Sequence, residues 1–396
     1  MSKTLLVLAA SRYQMDAIQT AKRVGYRVIT TDNVPSNPGH ALADRAYHED
    51  TTDFEAVLRI AQDERIDGII SPCTDVSVAT AAYIAQELNL PGPPLTAARI
   101  VTDKIAFRRF LEKQGLPRPA YHELARDSAP PDDLFERAPA WIIKPDRSSG
   151  SKGIFIVRDA AELRQRIAES RTFSPTGTVL IEQFFEGHQG TVEGVLKEGR
   201  IALHFILDRQ TAPEPYVTTI GHHVPTVLSE EMQQQVLNRI SEAWTRLGVT
   251  DGVFDCDLVC SDGEVYLIEM TPRLGGNSIS QLVRLAAGFD LVEHAVRSAC
   301  DEEAILPDQM TLVPTAVRLL GVWQEGTLAL NEDELKALRG ASWIESLTLD
   351  VPAGSPVEVF KNGRNRVGEV FLHATDRDSV PSRVTELESR LQLRTL

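Results

Sequence analysis

Gly252 to Ser278 reads GVFDCDLVCSDGEVYLIEMTPRLGGNS. Val253 to Val259 and Val265 to Met270 alternate apolar and polar residues with the period of half-buried strands. The Ser261-Asp262-Gly263 segment between them has Gly at the third loop position, the pattern of a three-residue hairpin loop with a bulge. Such an odd loop places Asp255, Asp257 and Glu269 on one face of the hairpin, where diagonal neighbours lie roughly 7–8 Å apart. Hard cations held by carboxylate oxygens fit between those side chains, magnesium first among them. A solvated acidic face on an edge hairpin is the competing reading. Arg273 weighs against it, because a cation just beyond Glu269 suits a site that transfers phosphoryl groups. Gly275 and Gly276 permit a close backbone approach, and Asn277 or Ser278 is expected to cap the helix SISQLVRLAA.

The whole chain bounds what that hairpin serves. Its 396 residues exceed one ordinary core, so two or three domains are expected, and a hydrophobic content of 42% gives ample material to bury. A formal charge of −15 repels a nucleic-acid backbone, and no Lys/Arg run offsets it, so DNA and RNA are excluded as partners. The four cysteines are Cys73, Cys256, Cys260 and Cys300. They read as buried thiols in a reducing cytoplasm, with Cys256 and Cys260 on the hairpin face opposite the acids. Thr4 to Ala10 is too short for a membrane span and lacks a signal-peptide cleavage pattern, so it reads as a first buried strand and no membrane partner is expected.

Strand and helix patterns alternate over the first hundred residues: LLVLAA, a helix over Gln14–Val24, YRVITTD, a helix over Phe54–Asp63, GIISP, and a helix over Val76–Leu88. This is a parallel sheet with crossover helices, and its ligand crevice lies at the carboxyl ends of the strands. Ser11, Arg12, Asp32, Asn33, Thr74 and Asp75 fall there, with helix caps and turns as the competing roles of Ser11 and Asp75. The first loop, AASRYQM, lacks the glycines of a dinucleotide fingerprint, which argues against a nicotinamide-dependent oxidoreductase. The expected fold class is α/β, with α+β character in the middle of the chain. The proline-rich LPGPPL, Leu90–Leu95, sits near the first of three expected regions' ends: 1–98, 99–302 and a β-rich 303–396.

In the middle region a helix carries Lys104, Arg108 and Arg109, and the strand Ala140–Lys144 stops at Pro145. Ser148 to Gly153, SSGSKG, offers backbone N–H groups and one cation, which suits a cover for phosphates, although most Gly/Ser loops are simply turns. Lys144 emerges beside that loop, and a lysine snorkelling from a strand end is its bland counterpart. A surface helix lysine such as Lys104 needs no explanation alone. The joint order is harder to dismiss: lysine helix, lysine strand, Gly-rich loop, acidic strand, acidic hairpin. His222 and His223 occupy TTIGHHVPT, where adjacent strand residues face opposite ways, so a metal-binding pair is the lesser reading.

These ordered motifs resemble the ATP-grasp superfamily, in its carboxylate-amine ligase branch related to biotin carboxylase, carbamoyl-phosphate synthase and the purine-pathway ligases. The resemblance covers nearly the whole chain and implies a three-domain ATP-grasp architecture. It implies that TDKIAFRRFLEKQGLPRP contributes a first nucleotide lysine, Lys104, and WIIKP a second, Lys144, while Ser148, Ser149, Gly150, Ser151, Lys152 and Gly153 form the phosphate-covering loop. In LIEQFFEG, Glu182 meets the adenine amino group and the backbone of Gln183, Phe184 and Phe185 contacts the ring; Glu193 falls near the ribose. Asp257 and Glu269 match the two magnesium carboxylates, with manganese as the alternative ion, and Arg273 matches the catalytic arginine that faces the transferred phosphate. Thr271 stands where many relatives place an asparagine. RLGG and RVGEVFLHA resemble the amino-acid ligases more than the carboxylases.

The implied reaction is phosphorylation of a small carboxylic acid by ATP to an acyl phosphate, which an amine then attacks. A bicarbonate-using carboxylase and a non-catalytic nucleotide-binding protein are the alternatives. Small carboxylate and amine substrates are the partners implied, and a homodimer is compatible with the resemblance.

Overall fold

Thr4–Leu8 (β1) is apolar from Leu5 onward and buried at every position, which suits the middle of a sheet covered on both faces. In the computed structural model, which describes residues 2–148, 150–302, 304–307 and 309–396, it pairs in parallel with Arg27–Thr31 (β2) and Gly68–Ile70 (β4). Arg45–Tyr47 (β3) completes a sheet of order β3-β2-β1-β4. The crossover helices Met15–Arg23, Phe54–Glu64 and Val78–Leu88 match the expected ones to within two residues. The short edge strand β3 carries no apolar alternation and leaves no trace in the sequence pattern.

The second sheet is antiparallel and contains Tyr121–Leu124 (β5), Trp141–Pro145 (β6), Phe155–Val157 (β7) and Val179–Gln183 (β8), in the order β5-β8-β6-β7. Trp141, Ile143 and Ile181 pack with Leu163 and Ile167 of the helix Ala160–Arg171.

The third sheet organises the molecule. Its strands are His188–Lys197 (β9), Arg200–Thr211 (β10), Thr219–Val224 (β11), Gly252–Ser261 (β12), Glu264–Thr271 (β13) and Thr315–Leu320 (β14), with Ile344–Leu349 (β16) and Gly368–His373 (β18). Every neighbouring pair is antiparallel in the order β13-β12-β9-β10-β11-β14-β18-β16. The strands beyond residue 303 thus extend the middle region's sheet through the β11–β14 pairing. Gly326–Ala329 (β15), Pro356–Val357 (β17) and Arg394–Thr395 (β19) form a small separate sheet. One face of the large sheet buries Val192, Ile206, Phe254, Cys256 and Leu258 against Val236, Ile240 and Trp244 of the helix Glu230–Leu247. The opposite face carries the acidic residues. Among the described residues, no helix is long and apolar enough to cross a membrane.

The hairpin departs from expectation at its turn. Ser261 pairs directly with Glu264, so the loop is the two residues Asp262 and Gly263, both at positive φ (51° and 78°), the geometry of a type I′ turn. An even loop alone would bring Glu269 to the face opposite Asp257. A β-bulge restores the parity. Leu258 faces Leu267 while Asp257 faces Glu269, leaving Ile268 as the extra residue. The expected common face is therefore present, produced by a bulge inside the strand and not by the loop.

Candidate active site

Asp257 and Glu269 are direct cross-strand partners, and Asp255 lies opposite Thr271 on the same face. Asp257 Oδ1 accepts from Thr191 Oγ1 at 2.5 Å, and its Oδ2 lies 3.5 Å from Arg209 Nη1. Thr191 also contacts His222 Nε2 at 3.2 Å; burial first, then Arg209 and His223, push that imidazole down to about 3, so it is neutral. Glu269 Oε1 lies 2.8 Å from Lys104 Nζ. Burial works against the Glu269 charge, but Lys104 and then Lys144 and Arg273 outweigh it and bring the carboxyl down to about 2. Among the described residues no three His, Cys, Asp or Glu side chains converge into a ready-made metal cage. The pair Asp257 and Glu269 supplies two hard oxygen donors, which fits a small divalent cation that keeps the rest of its shell for water and phosphate oxygens. Cys256 and Cys260 point into the core behind the sheet and offer it no soft ligand.

Lys104 opens the helix Lys104–Lys113, whose cap Asp103 accepts from the Ile105 and Ala106 amides. Besides Glu269, its ammonium donates to the Ser148 carbonyl at 3.0 Å, which ties the first lysine to the Gly/Ser loop. Within that loop Ser148 Oγ donates to the Lys152 carbonyl, while Gly150, Ser151 and Gly153 sit at positive φ. Gly153 packs so closely that an added Cβ would meet the Phe173 ring at 2.6 Å. Ser149 lies outside the described residues.

Lys144 and Glu182 form the second centre. Lys144 is 4% exposed and Glu182 1%, and Lys144 Nζ lies 2.5 Å from Glu182 Oε2. Arg108, also 1% exposed, binds the same carboxylate through Nε at 2.5 Å and Nη2 at 3.4 Å, and donates to the Leu267 and Ile268 carbonyls at the bulge. Burial opposes the Glu182 charge, but Arg108 and Lys144 bring its carboxyl down to about 2. The Lys144 pKa falls too, because burial and Arg108 outweigh Glu182. An adenine amino group would therefore share Glu182 with two cations already bound to it. At the hinge, the Gln183 and Phe184 amides donate to the Ala120 and Ala140 carbonyls, and the Phe185 ring stacks on Tyr266 at 4.1 Å.

Arg273 is the junction between the parallel sheet and the acidic face. Its Nε and Nη2 donate to Asp75 Oδ1 at 3.0 and 2.6 Å, and Nη1 donates to Asp255 Oδ2 at 3.0 Å. Burial disfavours the guanidinium charge, but Asp75 and Asp255 raise its pKa above the ordinary value. Asp255 itself is pushed up to about 7, by burial and by the repulsion of Asp257, Asp75 and Glu269 acting against Arg273. Glu193, cross-strand from Asp255, is fully buried, and its Oε1 accepts from the Gly275 amide at 2.5 Å. A Cβ at Gly275 would lie 1.9 Å from that oxygen, so the close approach expected of this glycine is made by the buried acid. Burial and Asp255 raise the Glu193 pKa well above the carboxylate range. The second oxygen, Oε2, is buried and has no hydrogen-bond partner among the described residues.

The geometry thus joins Lys104, Lys144, Glu182, Asp257, Glu269 and Arg273 in one charge network. It draws in Asp75, which the sequence places in the crevice of the parallel sheet, and adds Arg108, Thr191 and Arg209, to which the sequence pattern assigns no role in the site. For Arg108 a signal existed: Lys104, Arg108 and Leu111 recur at i, i+4 and i+7 on the core-facing stripe of one helix. His223 turns to the other face, 3.4 Å from Asp208, as strand alternation requires.

Comparison with known proteins gives the family and the fold. Residues 138–281 match the model of the ATP-grasp domain. The chain is 30% identical over 232 residues to the D-alanine–D-alanine ligase of Desulforudis audaxviator, covering 54% of this chain and 75% of that protein. It is 26% identical to human carnosine synthase 1 over 77% of this chain, which spans only 40% of that longer protein. The L-amino acid ligase from Bacillus licheniformis superposes with a TM-score of 0.83 at 19% identity, over 100% of this chain and 98% of that one, which shows a shared fold. The chain belongs to the ATP-grasp superfamily of ATP-dependent ligases.

Proposed function

We propose that the chain phosphorylates a small carboxylic acid, with amino acids as first candidates, to an acyl phosphate and joins the acyl group to an amine, releasing ADP and phosphate. One observation carries this reading: a carboxylate pair, Asp257 and Glu269, shares a sheet face and a charge network with Arg273, Lys104 and Lys144. The ligase relatives support amide formation over carboxylation.

Asp257 and Glu269 would hold magnesium or manganese, whose charge offsets that of the phosphate oxygens. Lys104 and Lys144 add cations to the same anion, and Thr191 and Arg209 fix the Asp257 carboxylate. The substrate carboxylate oxygen attacks the γ-phosphorus as the bond to ADP breaks. The amine nitrogen then attacks the acyl carbon, phosphate leaves, and the amine gives up a proton. Arg273 stabilises the charged oxygens of both steps, and Asp75 and Asp255 orient its fork. The loop from Ser148 to Gly153 excludes water, which would otherwise hydrolyse the acyl phosphate.

The test is a screen of amino-acid pairs for ADP and phosphate release, with mass analysis of the product and a labelled-bicarbonate arm. An amide product with ADP supports the reading. Release of AMP and pyrophosphate, or incorporation of the bicarbonate label, sinks it.

A further inference from the structure

The cations at the heart of the candidate active site are committed to carboxylates. Lys104 holds Glu269, Lys144 and Arg108 hold Glu182, Arg209 reaches Asp257, and Arg273 spans Asp75 and Asp255. Lys152 and Arg364 differ. Among the described residues neither has a carboxylate partner, although the chain carries a formal charge of −15.

Lys152 is half-buried on the Gly/Ser loop, where its carbonyl accepts from Ser148 Oγ at 3.2 Å. The Ser148 carbonyl in turn takes the Lys104 ammonium that holds Glu269, which ties the loop to the carboxylate pair. Arg364 is exposed in the short turn Gly363–Asn365, which precedes β18 in the third region of the chain. That turn is fixed where all three regions meet. The Asn362 side chain caps it by accepting from the Arg364 amide at 3.0 Å. Tyr13 Oη, from the first region, donates to the Gly363 carbonyl at 3.2 Å, and Thr218 Oγ1, just ahead of β11, donates to the Lys361 carbonyl at 2.5 Å. The Gly363 amide donates to the Gly150 carbonyl at 3.4 Å, so the turn touches the Gly/Ser loop itself. Arg364 is thereby held near enough that its charge, after burial, lowers the Lys152 pKa. Like charges kept together with no acid between them repel until an anion bridges them.

We propose that Lys152 and Arg364 clamp the polyphosphate of the nucleotide from two sides, Arg364 being contributed by the third region of the chain. A guanidinium fork matches phosphate oxygens in pairs, and an ammonium on a Gly-rich loop adds a point charge to the same anion. Both groups are uncommitted in the protein alone, so binding phosphate breaks no ion pair and relieves their mutual repulsion. The inference rests on the phosphate-covering role of the Ser148 to Gly153 loop in the ligase reading, and not on the identity of the acid or the amine.

The experiment is calorimetric titration of the full chain with ATP and, separately, with AMP, both in excess magnesium, beside a thermal melt of each variant. Arg364→Met and Lys152→Met should each weaken ATP binding roughly tenfold or more, the loss of one charge-assisted contact, and should change AMP binding by no more than about twofold. Arg364→Lys should recover most of the lost ATP affinity, because it restores the charge. Arg364→Glu should weaken ATP binding more than Arg364→Met does, while its melt without nucleotide is no lower than wild type, since the new carboxylate pairs with Lys152. Wild-type ATP affinity in Arg364→Met, equal losses for ATP and AMP, or no recovery in Arg364→Lys overturns the proposal. Affinity for ATP that depends on Arg364, found together with no amide product in the substrate screen, keeps the clamp and sinks the ligase reading alone.

Discussion

Glu182→Gln isolates the electrostatics of the buried centre. The substitution keeps the shape of the side chain and removes the one negative charge that Arg108 and Lys144 share, all three residues being at most 4% exposed. Two cations then remain buried with a neutral amide between them. Breaking a buried pair in this way costs about 3–5 kcal/mol. The depressed acidity gives a separate figure: a fall from 4.5 to about 2, at about 1.4 kcal/mol per pH unit, corresponds to on the order of 3 kcal/mol. Because the folded pKa is the lower one, this stabilisation is complete above about pH 4.5 and is lost as pH falls towards 2. Wild type should exceed the variant by its full margin at pH 7, and the gap should narrow below pH 4.5 by about 1.4 kcal/mol per unit. Urea unfolding followed by tryptophan fluorescence reads this, since Trp141 is buried in the strand that carries Lys144. A variant within about 0.5 kcal/mol of wild type at pH 7, or a gap constant down to pH 3, would refute the assignment of Glu182 as the counterion of both cations.

Arg273→Lys keeps a charge but loses the fork that spans Asp75 and Asp255, so turnover should fall on the order of 100-fold while ATP affinity measured by calorimetry changes far less; parallel loss of both would make Arg273 a nucleotide anchor. Glu269→Gln should raise the magnesium concentration for half-maximal ADP release roughly tenfold or more, and an unchanged titration would remove the metal role. Gly275→Ala should destabilise by about 1–3 kcal/mol, because its Cβ would fall 1.9 Å from the buried Glu193 carboxylate. Adding Glu193→Ala should recover much of that loss, and strictly additive melting shifts would show that the clash is elsewhere.

The parallel sheet was legible because β1, β2 and β4 are short apolar runs separated by amphipathic helices, a pattern set by local periodicity alone. The central strands of the large sheet were not. β9 and β10 carry Glu193, His204, Asp208 and Arg209 among their apolar residues, and what makes them strands is the pairing of each with a neighbour on either side. Candidate ligands on the hairpin were readable from alternation, yet the turn was misread, since the bulge at Ile268 that sets their common face lies inside a strand where composition gives no warning.

The sequence by itself determined which residue types the site would contain: two lysines ahead of a Gly/Ser loop, two carboxylates on a hairpin, and an arginine just past it. Spacing along a strand or helix fixes such choices, because side-chain direction follows the backbone period. Only the tertiary structure decided which charges meet. Asp75 lies 198 residues from Arg273, and Arg108 lies 74 from Glu182. Coulomb energy depends on distance in space and on the dielectric that burial creates. Neither is a property of the local sequence, so the partners of Arg273 and Lys144, and the neutral or ionised state of Asp255 and Glu193, were settled when the sheets packed together.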